Sequence, residues 1–175
     1  MVDKAAARKL LHLPPTAPLV LFAGAFDNAV KDAPLAKKAL AELHEVQLIE
    51  LKGYSRSEVF LLMQAADVLL LTSRSEGSPQ VVKEAMACGC PIVSTDVGDV
   101  RELTAGIAGC YVASSREPLE LAALLREAIL FAKNGRTDGR QRLIEKGYTN
   151  DRIATTTTSS GITSAISFSS GLSSI

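Results

Sequence analysis

Few folds accommodate the segment from Ser73 to Val93, which reads S-R-S-E-G-S-P-Q-V-V-K-E-A-M-A-C-G-C-P-I-V. It follows Asp67-Val-Leu-Leu-Leu-Thr72, an apolar run of strand length. Ser78 before Pro79 predicts a helix start, with a hydroxyl N-cap and proline at the first helical position. Ala, Met, Glu and Lys carry that helix to Cys88-Gly89, with Pro91 just beyond its end. Pro91 to Ser94 then reads as a buried strand. The unit is strand, loop, helix, strand. Its loop, Arg74 to Ser78, stands where parallel sheets bind ligands, at the carboxyl end of a strand.

Glu76 in the loop and Glu84 in the helix frame this unit. Between them the first helical turn offers free backbone N–H groups, an anion site by geometry and by dipole. A phosphate would take the N–H groups of Gly77, Ser78 and Gln80 around Pro79, leaving the carboxylates to accept hydrogen bonds from sugar hydroxyls. A nucleoside diphosphate sugar has both needs. The plain alternative is that Glu76 complements the helix dipole and Glu84 faces solvent.

The string Glu76-Gly-Ser-Pro-Gln-Val-Val-Lys-Glu84-Ala-Met-Ala-Cys-Gly-Cys-Pro91 resembles the E-x7-E signature of retaining, GT-B-fold glycosyltransferases. These are the family 4, or glycosyl transferases group 1, enzymes of the glycogen synthase and sucrose synthase type. The similarity continues through Ala65 to Ser73 and through Ser94 to Leu103, and extends more weakly from about Lys4 to about Ala154. It implies transfer of a sugar from a UDP-, GDP- or ADP-sugar to an acceptor hydroxyl, with retention, no bound metal and no other cofactor. On this analogy Glu84 accepts the ribose hydroxyls and Glu76 the hydroxyls of the transferred sugar. Lys31 and the N–H groups around Gly77 to Gln80 stabilise the diphosphate as charge grows on the leaving group.

Departures accompany the likeness. The family usually carries Gly-Arg after the first strand with a lysine about five residues later. Lys31 fits the lysine, but Ala25 or Phe26 stands at the arginine. Arg74 is a candidate replacement cation, and a solvated loop lysine is the plain reading of Lys31. Asp99 replaces the second glycine of the family's G-G-x-x-E loop, so its carboxylate must point away from a diphosphate or serve the sugar. Glu102 is expected to cap the following helix. Tyr54 lies in the loop that lines the nucleobase pocket in the family; a half-buried loop tyrosine is the ordinary alternative.

Composition excludes other classes. With 19 basic and 19 acidic residues the net charge is zero, which argues against nucleic acid and anionic membranes. No apolar run approaches bilayer length and no signal peptide is seen. Cys88, Cys90 and Cys110 lack zinc spacing and read as small buried hydrophobes, consistent with a cytoplasmic protein.

The remaining chain predicts an α/β, Rossmann-like three-layer sandwich with a parallel sheet, one half of a GT-B fold, over residues 1–153. Helices are expected over Asp3–Leu11, Pro34–Leu43, Ser55–Ala66 (opened by a Ser55/Glu58 capping box), Ser115–Phe131 and Thr137–Glu145. Strands are expected over Leu19–Gly24, Val46–Leu51 and Gly109–Val112. Residues 154–175 are Ser/Thr-rich without charge and read as a disordered or loosely attached tail, a frame-shifted end being one origin and a functional tail the other. The family's first helix follows a linker from an acceptor-binding domain, and here it starts at Met1. That leads to the expectation of a chain lacking its acceptor domain, inactive alone and with a face open to self-association. The rival readings are a non-catalytic nucleotide-binding module, or relic of a longer transferase, and a GT-B-fold nucleotide-sugar epimerase.

Overall fold

The computed structural model describes residues 2–148 and the backbone of Ser173–Ser174. Its elements alternate in the expected way: α1 (Lys4–Leu10), β1 (Leu19–Phe22), a 3-10 turn (Ala29–Lys31), α2 (Ala33–Leu40), β2 (Gln47–Glu50), α3 (Arg56–Ala65), β3 (Val68–Leu71), α4 (Gln80–Ala87), β4 (Ile92–Ser94), α5 (Val100–Thr104), β5 (Cys110–Val112), α6 (Pro118–Asn134) and α7 (Gly139–Glu145). Strands β1 to β5 are parallel, in the order β5-β4-β3-β1-β2. Ser173–Ser174 (β6) adds a two-residue antiparallel edge to β2. The rest of the Ser/Thr-rich tail lies outside the described residues.

The continuous apolar runs explain why the sheet is covered twice. In β1, Leu19 and Leu21 enter one core while Val20 and Phe22 enter the other; in β3, Leu69 and Leu71 oppose Val68 and Leu70. Helices α2 and α6 cover the second face, whereas α1, α3, α4 and α7 cover the first. Each fully buried Leu or Val contributes about 1.5–3 kcal/mol, so neither face can be left bare. This is the α/β, Rossmann-like sandwich that the alternation predicts.

Strand order places the ligand crevice. From β1 the chain passes through α2 to β2 on one side, then returns across β1 to place β3 on the other. The loops after β1 and β3 therefore lead to opposite faces, and a crevice opens between them at the carboxyl ends of the strands.

Several local expectations are met by the residues named for them. Asp3 caps α1, its side chain accepting from Ala6 N–H, and Ser55 with Glu58 forms a complete capping box on α3. Helix α4 ends at Cys88-Gly89, with Gly89 at φ 64°. In α6, Leu121, Leu125 and Ala128 are buried as expected, while Leu124 and Phe131 are only half-buried. Two local expectations are corrected. Ser78 is not the N-cap of α4: Pro79 takes that place with φ −67° and ψ 117°, and no side chain among the described residues caps the helix. Glu102 does not cap α5 either; it lies within the helix and pairs with Lys146 at 3.0 Å.

Candidate functional site

Lys31 closes the 3-10 turn after β1, where the Asn28 side chain accepts from Val30 N–H and fixes the turn. A side chain at position 24 would place its Cβ 2.7 Å from Lys31 Cγ, so Gly24 makes room for the lysine stem to cross the strand end. The Lys31 ammonium then reaches Glu76 in the loop after β3, with Nζ and Oε1 at 2.6 Å. Ser73 Oγ donates to the same oxygen at 2.6 Å. Burial pushes the Glu76 carboxyl up, but the Lys31 and Ser73 hydrogen bonds and the Lys31 charge together outweigh it and hold it below the ordinary glutamate value.

Glu84 meets a different environment. Its side chain is 17% exposed on α4, and its nearest cation, Arg56, stands 3.9 Å away. Burial dominates over Arg56 and pushes the Glu84 carboxyl up. The two carboxylates are thus tuned in opposite directions: Glu76 stays charged into acid, and Glu84 takes a proton more readily.

An open cleft of ≈ 340 Å³ joins these groups. Lys31, Glu76, Pro79, Gln80 and Glu84 line it, five of the residues singled out in the sequence, together with Ala23, Gly24, Leu51, Val59 and Val81. Among the described residues no acceptor meets the N–H groups of Gly77, Ser78, Gln80 or Val81 around the start of α4. A smaller hollow of ≈ 80 Å³, walled by Phe60, Lys83, Ala87, Leu143 and Tyr148, adjoins the cleft through Gln80 and Glu84.

The other candidates stand outside the lining of the cleft. Arg74 is 67% exposed and pairs with Asp32 at 3.0 Å. Gly77 and Ser78 form the outer bend of the loop: Gly77 O accepts from Asp99 N–H at 3.1 Å. Ser78 Oγ donates to Asp99 Oδ2 and accepts from Lys83 Nζ at 2.6 Å. Asp99 is not among the residues lining the cleft, and its Oδ1 is buried without a partner among the described residues. Tyr54 packs half-buried against the core under α3, and burial raises its phenol. Cys88 and Cys110 are free thiols pushed up to about 12 by burial, and Cys90 is raised by the same cause, so none is a ready nucleophile. Among the described residues no cluster of His, Cys, Asp and Glu could hold a metal, and no helix is long and apolar enough to cross a membrane.

Arg116 and Asp32 are the residues that sequence reasoning missed. Arg116 donates to Ser73 O at 2.8 Å, to Thr72 O at 2.9 Å and to Asp32 Oδ2 at 2.8 Å. Thr72 Oγ1 completes the knot by donating to Lys31 O and Asp32 O at 2.8 and 3.0 Å. The knot fixes the backbones that carry Lys31 and Glu76. A signal did exist. A guanidinium directly before the N-terminus of α6 stands against the helix dipole, so it needs a partner elsewhere.

The chain is similar to known proteins. The family model described as "Glycosyl transferases group 1" matches residues 20–130, more than half of the chain. The D-inositol 3-phosphate glycosyltransferase of Mycolicibacterium gilvum is 30% identical over 168 residues, covering 79% of this chain and 37% of its own. Its namesake from Xylanimonas cellulosilytica is 29% identical over 163 residues, covering 76% and 38%. The sucrose-phosphate synthase structure from Thermosynechococcus elongatus superposes with a TM-score of 0.73 at 22% identity, covering 87% of this chain and 47% of that one. At that identity the likeness speaks for the fold. The chain spans less than half the length of each of these relatives. With a family model that matches more than half of its length, this chain belongs to the glycosyl transferases group 1 family.

Proposed function

We propose that this chain is the donor-binding half of a retaining glycosyltransferase, taking a UDP-, GDP- or ADP-sugar in the cleft between Lys31 and Glu84. The observation that carries the reading is the convergence on one crevice of one cation, two carboxylates and α4 N–H groups that have no partner among the described residues. In this reading the diphosphate lies against the start of α4 and draws Lys31 to itself. Glu76, released from the lysine, accepts hydroxyls of the transferred sugar, and Glu84 accepts the ribose hydroxyls. As the bond from sugar to diphosphate breaks, negative charge grows on the leaving phosphate. The fixed N–H dipoles and the Lys31 ammonium meet it there without reorganising. No metal is needed in this scheme.

The acceptor and the second wall of the active site are assigned to a further domain, in keeping with relatives more than twice as long. The isolated chain is then expected to bind donor weakly and to show no transferase turnover. Turnover at ordinary enzymatic rates by this chain alone would contradict the assignment.

A non-catalytic nucleotide-binding module is the second reading. It is favoured by Ala25 and Phe26 at the family's arginine position and by the consumption of Lys31 in an ion pair with Glu76. Thermal midpoints measured with UDP, GDP, ADP and their sugar conjugates test the donor site. A ligand of the native state raises the midpoint. One nucleotide series should raise it in the wild type and less in Glu84→Ala. No response to any of them, even with an acceptor domain added, would overturn both readings.

A further inference from the structure

The loop after β4 interferes with α4 in a way that bears on the proposed donor site, and the inference rests on that reading. Sequence chemistry makes Ser78-Pro79 a cap and first helical residue, yet the backbone at Pro79 is extended, with ψ 117°, and Ser78 caps nothing. The hydroxyl is occupied elsewhere. Its single proton goes to Asp99 Oδ2, and it accepts from Lys83 Nζ at 2.6 Å. The backbone of Asp99 is tethered to the same loop, its N–H bonded to Gly77 O at 3.1 Å. Gly98 behind it packs so closely that a Cβ there would lie 2.0 Å from the same carbonyl.

The N–H groups that a Ser78 cap would satisfy are the ones an anion would use. A serine oxygen and a phosphate oxygen compete for the first turn of α4, and a capped start is a closed anion site. We propose that Asp99 is a positioning residue that holds Ser78 off the cap, keeping the start of α4 open for the diphosphate of the donor. It acts through Ser78 and Lys83 and touches no substrate. The hold trades stability of the free protein for binding, so removing it moves the two in opposite directions. A residue that merely supports the fold would lower both.

The experiment compares wild type, Asp99→Ala, Asp99→Asn and the double variant Asp99→Ala/Ser78→Ala. The readouts are the ligand-free thermal midpoint and the dissociation constants of UDP, GDP, ADP and inorganic pyrophosphate. In Asp99→Ala the midpoint rises by roughly 2–4 °C as Ser78 caps the helix. Diphosphate binding weakens by about fivefold to tenfold in the same variant, the reach of one cap. The double variant returns to the wild-type affinity, and Asp99→Asn, which still accepts from Ser78, behaves like wild type. A midpoint unchanged or lowered in Asp99→Ala, or a rise that survives Ser78→Ala, overturns the hold. Tighter binding in both Asp99→Ala and Asp99→Asn also overturns it, since Asp99 would then act only by charge repulsion. If wild type binds none of the probes, the donor reading falls and the purpose of the hold with it, while the ligand-free midpoints still report the hold itself.

Discussion

Gly98 is the residue least open to change at the rim of the cleft. It sits at φ 54°, in the left-handed region, and a Cβ there would overlap Gly77 O. Backbone strain alone costs a non-glycine residue about 1–3 kcal/mol, and the overlap adds to it. Gly98→Ala should therefore lower the urea midpoint by more than that strain predicts and weaken nucleotide binding through displacement of the Gly77 loop; an unchanged midpoint would refute the packing. Under the proposed donor reading, Glu84 sets a pH dependence. Its folded pKa is raised above the ordinary 4.5 by burial, so its proton goes on as pH falls, earlier than on a free glutamate. A carboxylate that accepts ribose hydroxyls loses that capacity when protonated, so nucleotide affinity should fall on acidification from above the ordinary glutamate range. Glu84→Gln should flatten this part of the profile. Glu76, held low by Lys31 and Ser73, should contribute only at lower pH. Glu76 and Glu84 could be placed together because their spacing along one strand-loop-helix unit is a local property, whereas Lys31 reaches them from the turn after β1 and was singled out only by resemblance. Arg116 and Asp32 were missed, since their partners stand on distant loops and only the adverse position of Arg116 before α6 hinted at one.

The elements were legible where burial is continuous or capping is local. The runs Leu19–Phe22 and Val68–Leu71 have no polar residue to place them anywhere but in a doubly covered sheet, and the Ser55/Glu58 box marks its helix within four residues of sequence. The start of α4 was misread because Ser78 answers to Asp99, which lies on the next loop. The start of α7 also lies later than expected: the helix opens at Gly139 after Asp138, while the Thr137 N–H bonds Gly89 O at 2.9 Å. The docking of α1 carries its own prediction. Asp67, at the foot of β3, accepts from Lys4, from Arg8 at 2.7 Å and from Leu19 N–H at 2.7 Å, and both Asp67 and Arg8 are buried. Breaking a buried pair on one side leaves an uncompensated charge and costs about 3–5 kcal/mol. Asp67→Ala should lose that much in denaturant unfolding. A loss within experimental error would show that α1 is held by apolar contact alone.

At the scale of the molecule, the order β5-β4-β3-β1-β2 explains why the cleft lies where it does. Lys31 leaves β1 toward one face and Glu76 leaves β3 toward the other, so the pair straddles the point where the chain changes direction. The alternation of elements made the sandwich legible. Strand order was not, because nothing local in the sequence says that β3 returns across β1. The most direct test of the donor cleft is calorimetric titration of a nucleoside diphosphate and of its sugar conjugate into wild type, Glu76→Gln and Glu84→Ala. The division of roles predicts that Glu84→Ala weakens both ligands alike, whereas Glu76→Gln weakens the sugar conjugate and leaves the bare diphosphate bound at least as well as wild type does. Equal losses for both ligands in Glu76→Gln, or none in Glu84→Ala, would contradict it.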